Sequence, residues 1–93
     1  MIYENVLIIY GDGDIPDFND LHQPAPWNEY KNIIKGIDIK EGIISIGNNA
    51  FYQLYNVETI SIPSSIETIG NGVFIGCSSI NQIIIDNDNL NYT

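Results

Sequence analysis

Laid over itself with a shift of 23 residues, the second half of the chain matches. Ile37 falls on Ile60, Ile39 on Ile62, Ile43 on Ile66 and Ile46 on Ile69. Gly47 falls on Gly70, Asn48 on Asn71 and Phe51 on Phe74. Ser45 with Thr68, Ala50 with Val73, Leu54 with Cys77 and Val57 with Ile80 are conservative pairs. A third copy opens at Ile83, where Ile85 takes the place of Ile62. The shared pattern is I-x-I-x3-I-x2-I-G-N-x2-F-x2-[LC]-x2-[VI]. A unit this short cannot bury its apolar face alone. Stacked units can, because their strands pair and their Ile and Phe positions form one continuous core.

The spacing within a unit predicts its local structure. Ile37 and Ile39, Ile60 and Ile62, and Ile83 and Ile85 recur at every second residue, the period of a short strand with one buried face. Pro63 follows its strand and helps to end it. A second extended stretch carries Ile66 and Ile69, and Gly70, Asn71 and Gly72 then supply a turn. Val73, Phe74 and Cys77 suit one helical or 3₁₀ turn with Phe74 inward.

Residues 1–36 do not obey the repeat. Ile2 and Tyr3, and residues 6–10, read as strand, and residues 11–14 as a turn. Residues 16–26 read as irregular loop, and 27–35 hold room for one short helical turn. Terminal units of stacked repeats are atypical because they shield an end of the core. The expected organisation is therefore an N-terminal cap over residues 1–33, followed by two full repeats and a partial one over residues 34–93.

Charge narrows the partners. Twelve acidic residues stand against three lysines and no arginine, a net charge of −9. Such a chain lacks the basic footprint that nucleic-acid phosphates require, and anionic lipid surfaces would repel it. Partners drawn by charge should be basic proteins or cations. One cysteine, Cys77, excludes an intrachain disulfide framework. The apolar run at residues 6–10 is too short to span a membrane and has no positive segment before it, so no signal peptide is read there. Asn91, Tyr92 and Thr93 form a glycosylation triplet of a kind common by chance in an Asn-rich chain.

The residues at 43–51, Ile-Ile-Ser-Ile-Gly-Asn-Asn-Ala-Phe, resemble the motif of BspA-like, or Treponema-type, leucine-rich repeats. So does the stretch from Ile60 through Pro63, Ser64, Ile69, Gly70 and Phe74 to Cys77. Ala25, Pro26 and Trp27 resemble the segment that often precedes a first repeat in that family. The resemblance covers residues 24–93. It implies a leucine-rich-repeat solenoid: a short parallel sheet of stacked 23-residue repeats with an N-terminal β cap. It also implies a place on or outside the cell surface, and binding to host matrix or surface proteins, since several members of the family are linked to adhesion. The chain departs from the pattern where Leu54 replaces the usual Cys. It departs again in its length, which leaves either further repeats or another chain to cover the last copy.

Candidate sites follow from the pattern. Strand alternation places Asp38, Ser61 and Ile84 in one outward row, and Gly36, Thr59 and Gln82 in the next. Asp38, Thr59, Ser61, Gln82 and Ile84 are the expected ligand-binding set. Ile84 is a scattered surface apolar residue, or is covered by the next repeat, or is an apolar anchor for a partner. Tyr52 and Tyr55 are a second contact patch on the turn side. The loop bearing Asp12, Asp14, Asp17 and Asp20 is read as solvated. The alternative is a weak calcium site, although Gln23 rather than Glu stands where an EF-hand loop ends.

His22 has no His or Cys near it in sequence, Cys77 falls on a core position, and Trp27 and Tyr30 fit cap packing better than a ligand platform. The fragment Gly11-Asp12-Gly13 lacks the rest of a dinucleotide fingerprint. No nucleophile stands beside a base, so an enzyme is not expected, and neither is a cofactor. The function expected is a protein-binding module of surface or adhesion type. Self-association through the open C-terminal end and calcium-dependent binding are the alternatives.

Overall fold

A computed structural model describes residues 2–18 and 24–86. Among the described residues eight strands form: β1 Ile2–Tyr3, β2 Val6–Ile9, β3 Gly13–Ile15, β4 Gly36–Ile39, β5 Ile43–Ile46, β6 Thr59–Ile62, β7 Thr68–Ile69 and β8 Gln82–Ile85. A 3₁₀ helix spans Pro26–Tyr30, with proline at its start, where the missing N–H costs nothing. No helix among the described residues is long and apolar enough to cross a membrane.

The strands sort into two sheets. The first runs in the order β1, β2, β4, β6, β8, and the second in the order β3, β5, β7. Apart from the β1–β2 hairpin, every pairing is parallel. Each repeat therefore makes one coil: a strand in the first sheet, a corner, a strand in the second, and a turn segment back. Ile37 pairs with Ile60 and Ile60 with Ile83, the register the 23-residue shift predicts.

Alternation turns Ile37, Ile39, Ile60 and Ile62 into the core, where Ile43, Ile46, Phe51, Leu54, Val57 and Ile66 meet them. Full burial of side chains this size contributes about 1.5–3 kcal/mol each before entropy is counted. In the second sheet the register shifts between Gly13 and Asp14, so that Ile44 bulges out and Ile43 and Ile46 both face inward. That bulge explains apolar positions three apart in a strand.

The corners need glycine. Gly42 has φ +108°, and a Cβ there would meet the Gly11 carbonyl and lie 2.8 Å from the Asp12 carboxylate. A Cβ on Gly47 would collide with the Pro16 carbonyl of the coil before it.

Three expectations are corrected. Residues 11–14 are not all turn: the chain bends at Gly11 and Asp12, and Gly13–Ile15 is β3, paired in parallel with β5. Its periodicity was hidden because this coil is longer than 23 residues; Asp17 meets Asn48 across 31 positions. Cys77 is half-buried rather than core, whereas Leu54, its equivalent one coil earlier, is fully buried. Phe74 is also only partly buried, stacked on Phe51 at 6.2 Å between ring centroids. Burial at these positions comes from the coil that follows, and no described coil stacks on this one.

Candidate functional site

Side chains lash each coil to the next, across 31 positions from the long first coil and mostly 23 or 24 elsewhere. Asp17 Oδ1 accepts the Asn48 N–H at 2.7 Å, and Asn48 Oδ1 in turn accepts the Asn71 N–H at 2.7 Å. Glu41 Oε1 accepts from both the amide and the hydroxyl of Ser64, at 2.7 and 2.6 Å. On the turn side Asn28 donates to the Tyr52 carbonyl at 2.9 Å, Tyr55 bonds Asn32, and Asn56 donates to the Asn32 carbonyl at 3.0 Å. Tyr52 and Tyr55 are half-buried among these rungs.

Trp27 takes the Phe place in the preceding coil. Its indole N–H donates to the Ala50 carbonyl at 2.8 Å, and its ring lies 6.0 Å from Phe51 and 5.7 Å from Phe18, edge-on to the latter. It serves the interior, in line with its expected cap-packing role. Tyr30 departs from the expected cap packing: it lies exposed beside Trp27. The ladder Trp27, Phe51, Phe74 was not read from the sequence because Trp for Phe breaks the letter match. The signal was a ring at a spacing of 24 from Phe51.

The acidic loop residues separate. Asp14 Oδ1 accepts the Ser45 hydroxyl at 2.7 Å, Asp17 is engaged with Asn48, and Asp12 lies exposed at the bend. Among the described residues no three His, Cys, Asp or Glu side chains stand together to hold a metal ion. Asp20, His22 and Gln23, and the triplet at Asn91, lie outside the described residues. Burial pushes the Cys77 thiol up from its ordinary pKa, a backbone hydrogen bond from Leu54 pulls it down less, and Sγ donates to the Phe51 carbonyl at 3.0 Å.

The structure brings the outward rows together as the alternation predicts. Ile8 pairs with Asp38, Asp38 with Ser61 and Ser61 with Ile84, so four side chains cross the first sheet in one line. Gly36, Thr59 and Gln82 form the neighbouring line. Gly36 itself is buried, since a Cβ there would meet Thr59 Oγ1 at 3.3 Å and Val6 at 3.5 Å. That row is therefore open only at Thr59 and Gln82. Asp38 pairs with Lys40 at 2.8 Å, both partly exposed. Asp38, Lys40, Glu41, Ser61, Ile84 and Asp86 line an open groove of about 290 Å³.

Stacked strand–turn coils with parallel ladders and a ring-and-isoleucine core define a leucine-rich-repeat solenoid. Residues 28–93 match the family model described as BspA type leucine rich repeat region (6 copies), and the chain belongs to that family. Repeats of this kind commonly mediate protein–protein interaction. Its fold matches the crystal structure of a leucine-rich repeat protein from Eubacterium ventriosum ATCC 27560, with a TM-score of 0.80 and 28% identity. The match covers 87% of this chain and 21% of that one, so the chain spans about a fifth of that protein. No curated protein matches the sequence.

Proposed function

We propose that the chain is a protein-binding module of surface or adhesion type. It recognises another macromolecule through the outward face of β4, β6 and β8, with Asp38, Thr59, Ser61, Gln82 and Ile84 as the contact set. One observation carries the reading. Of the side chains that join the coils, only Glu41 reaches the edge of this face, and Ser61, Ile84, Thr59 and Gln82 take part in none of those bonds. A sheet face that the fold leaves unused for its own cohesion is free to vary for recognition. Residues 1–33 act in this reading as the cap, with β1 folded back over the edge of β2.

The test is binding to a panel of immobilised extracellular-matrix and plasma proteins, with calcium and with chelator. A Ser61→Arg, Ile84→Glu double variant runs alongside. Saturable binding that weakens about tenfold or more in the double variant, some 1.4 kcal/mol, supports the reading. Binding lost only in chelator overturns it in favour of a calcium-dependent module using Asp12, Asp14 and Asp17.

A second reading is self-association through β8. Ile83, inward in register with the fully buried Ile60, is 49% exposed, and the outer edge of β8 has no neighbouring strand among the described residues. Such edges and uncovered core ends invite pairing with another copy. Mass that rises with concentration, and that falls back in an Ile83→Lys variant, supports it.

A further inference from the structure

The row on the first sheet also specifies what kind of segment it fits. Its residues are Ile8 on β2, Asp38 on β4, Ser61 on β6 and Ile84 on β8, in register. The two ends are apolar, and Ile84 is 48% exposed. That exposure differs in kind from the exposure of Ile83. Ile83 points to the core and is bare because no described coil covers it. Ile84 points outward, as Asp38 and Ser61 do, so further coils stacked on β8 leave it on the face.

The middle of the row is acidic. Asp38 is held by Lys40 through an exposed pair, a contact worth little in water. Lys40 is also the last basic residue: from Glu41 to Thr93 there is no Lys, Arg or His. The groove beside the row adds Glu41 and Asp86. The face thus presents a negative field between two apolar ends.

Neighbouring strands lie about 4.8 Å apart, so Ile8 and Ile84, three intervals apart, are separated by about 14 Å. An extended peptide rises about 3.4 Å per residue and places alternate side chains on one side, so positions i and i+4 also lie about 14 Å apart. Position i+2 then falls between Asp38 and Ser61. We propose that this row is a track for an extended basic segment in which two apolar side chains four residues apart flank a Lys or Arg. The apolar pair seats on Ile8 and Ile84, and the cation meets Asp38. Thr59, Ser61 and Gln82 offer hydroxyl and amide groups to the crossing backbone. The inference rests on the proposed use of this sheet face and adds the chemistry of its partner.

The probes are synthetic peptides on a Gly-Ser background. One carries Ile-x-Arg-x-Ile, a second Ile-x-Glu-x-Ile, and a third the arginine peptide with its isoleucines two residues apart. Each is titrated into the full chain, with affinity read by fluorescence anisotropy and location by amide chemical shifts. The expected result is saturable binding of the first peptide, with shifts on β4, β6 and β8 and an affinity that falls as salt rises. Asp38→Asn and Ile84→Ser should each weaken it several-fold with unchanged circular dichroism. Equal binding of the glutamate or respaced peptide at the same amides overturns the assigned chemistry but leaves the sheet face as the binding surface. Absence of binding by all three overturns the track. If matrix proteins still bind in a manner sensitive to Ser61→Arg and Ile84→Glu, only this inference falls and the wider reading stands.

Discussion

Two coils of nearly the same sequence pattern end in different states. In the coil of residues 37–59, Phe51, Leu54 and Val57 are fully buried; in the next, Phe74, Cys77 and Ile80 at the same positions are only partly covered. Ile60 and Ile83 repeat the contrast between buried and half-exposed. Local propensity is shared, so it cannot be the cause. Each coil receives its burial from its successor, which makes stability a matter of neighbouring interfaces rather than of units. The outward face behaves otherwise: Asp38 and Ser61, each with a coil stacked after it, remain partly exposed, and Ile84 is exposed.

The sharpest way to break the comparison is to truncate the same ring in both coils. Phe51→Ala should cost about 3–5 kcal/mol, and Phe74→Ala clearly less, as read by urea denaturation. Equal losses would mean that the last described coil is as well packed as the inner one. The ladder offers a smaller effect. Asn48→Ala removes the acceptor that holds the Asn71 N–H and should lower stability by about 1 kcal/mol, seen as a drop in melting temperature.

The smallest effect is at Cys77. Burial raises its thiol pKa, so labelling by a maleimide should begin at higher pH than in the unfolded chain and run slower at any pH between. The folded state holds the thiol proton more tightly. Its contribution is therefore complete below the unfolded thiol pKa and is lost as pH rises through the folded one. A labelling profile identical to that of the unfolded chain would place Cys77 in open solvent.

Much of this was legible beforehand, for a physical reason. Period-two alternation dictates which side of a strand a residue takes, so the outward row of Asp38, Ser61 and Ile84 could be read directly, and the 23-residue shift supplied the pairing register. What could not be read were the hydrogen-bond partners that the stacking brings to polar side chains. Asp14 and Asp17 look like cation ligands in a string of letters, yet Asp17 serves a main-chain N–H and Asp14 a serine hydroxyl. Strand β3 was hidden by the longer first coil. The exposure of Cys77 depends on a neighbour that its own sequence does not mention.

The run from Asp17 to Asn48 to Asn71 has a consequence for how such a chain can lengthen. Each carboxylate or amide oxygen holds the amide of the next coil, and Asn71 carries the same amide oxygen forward. A duplicated stretch of coding sequence that keeps this spacing would arrive with its own donor and acceptor already in place. The residue count between rungs can differ, 31 from Asp17 to Asn48 and 23 from Asn48 to Asn71, as long as each coil returns a donor and an acceptor to the same place. The ladder thus works as a ruler on heredity that counts rungs rather than residues.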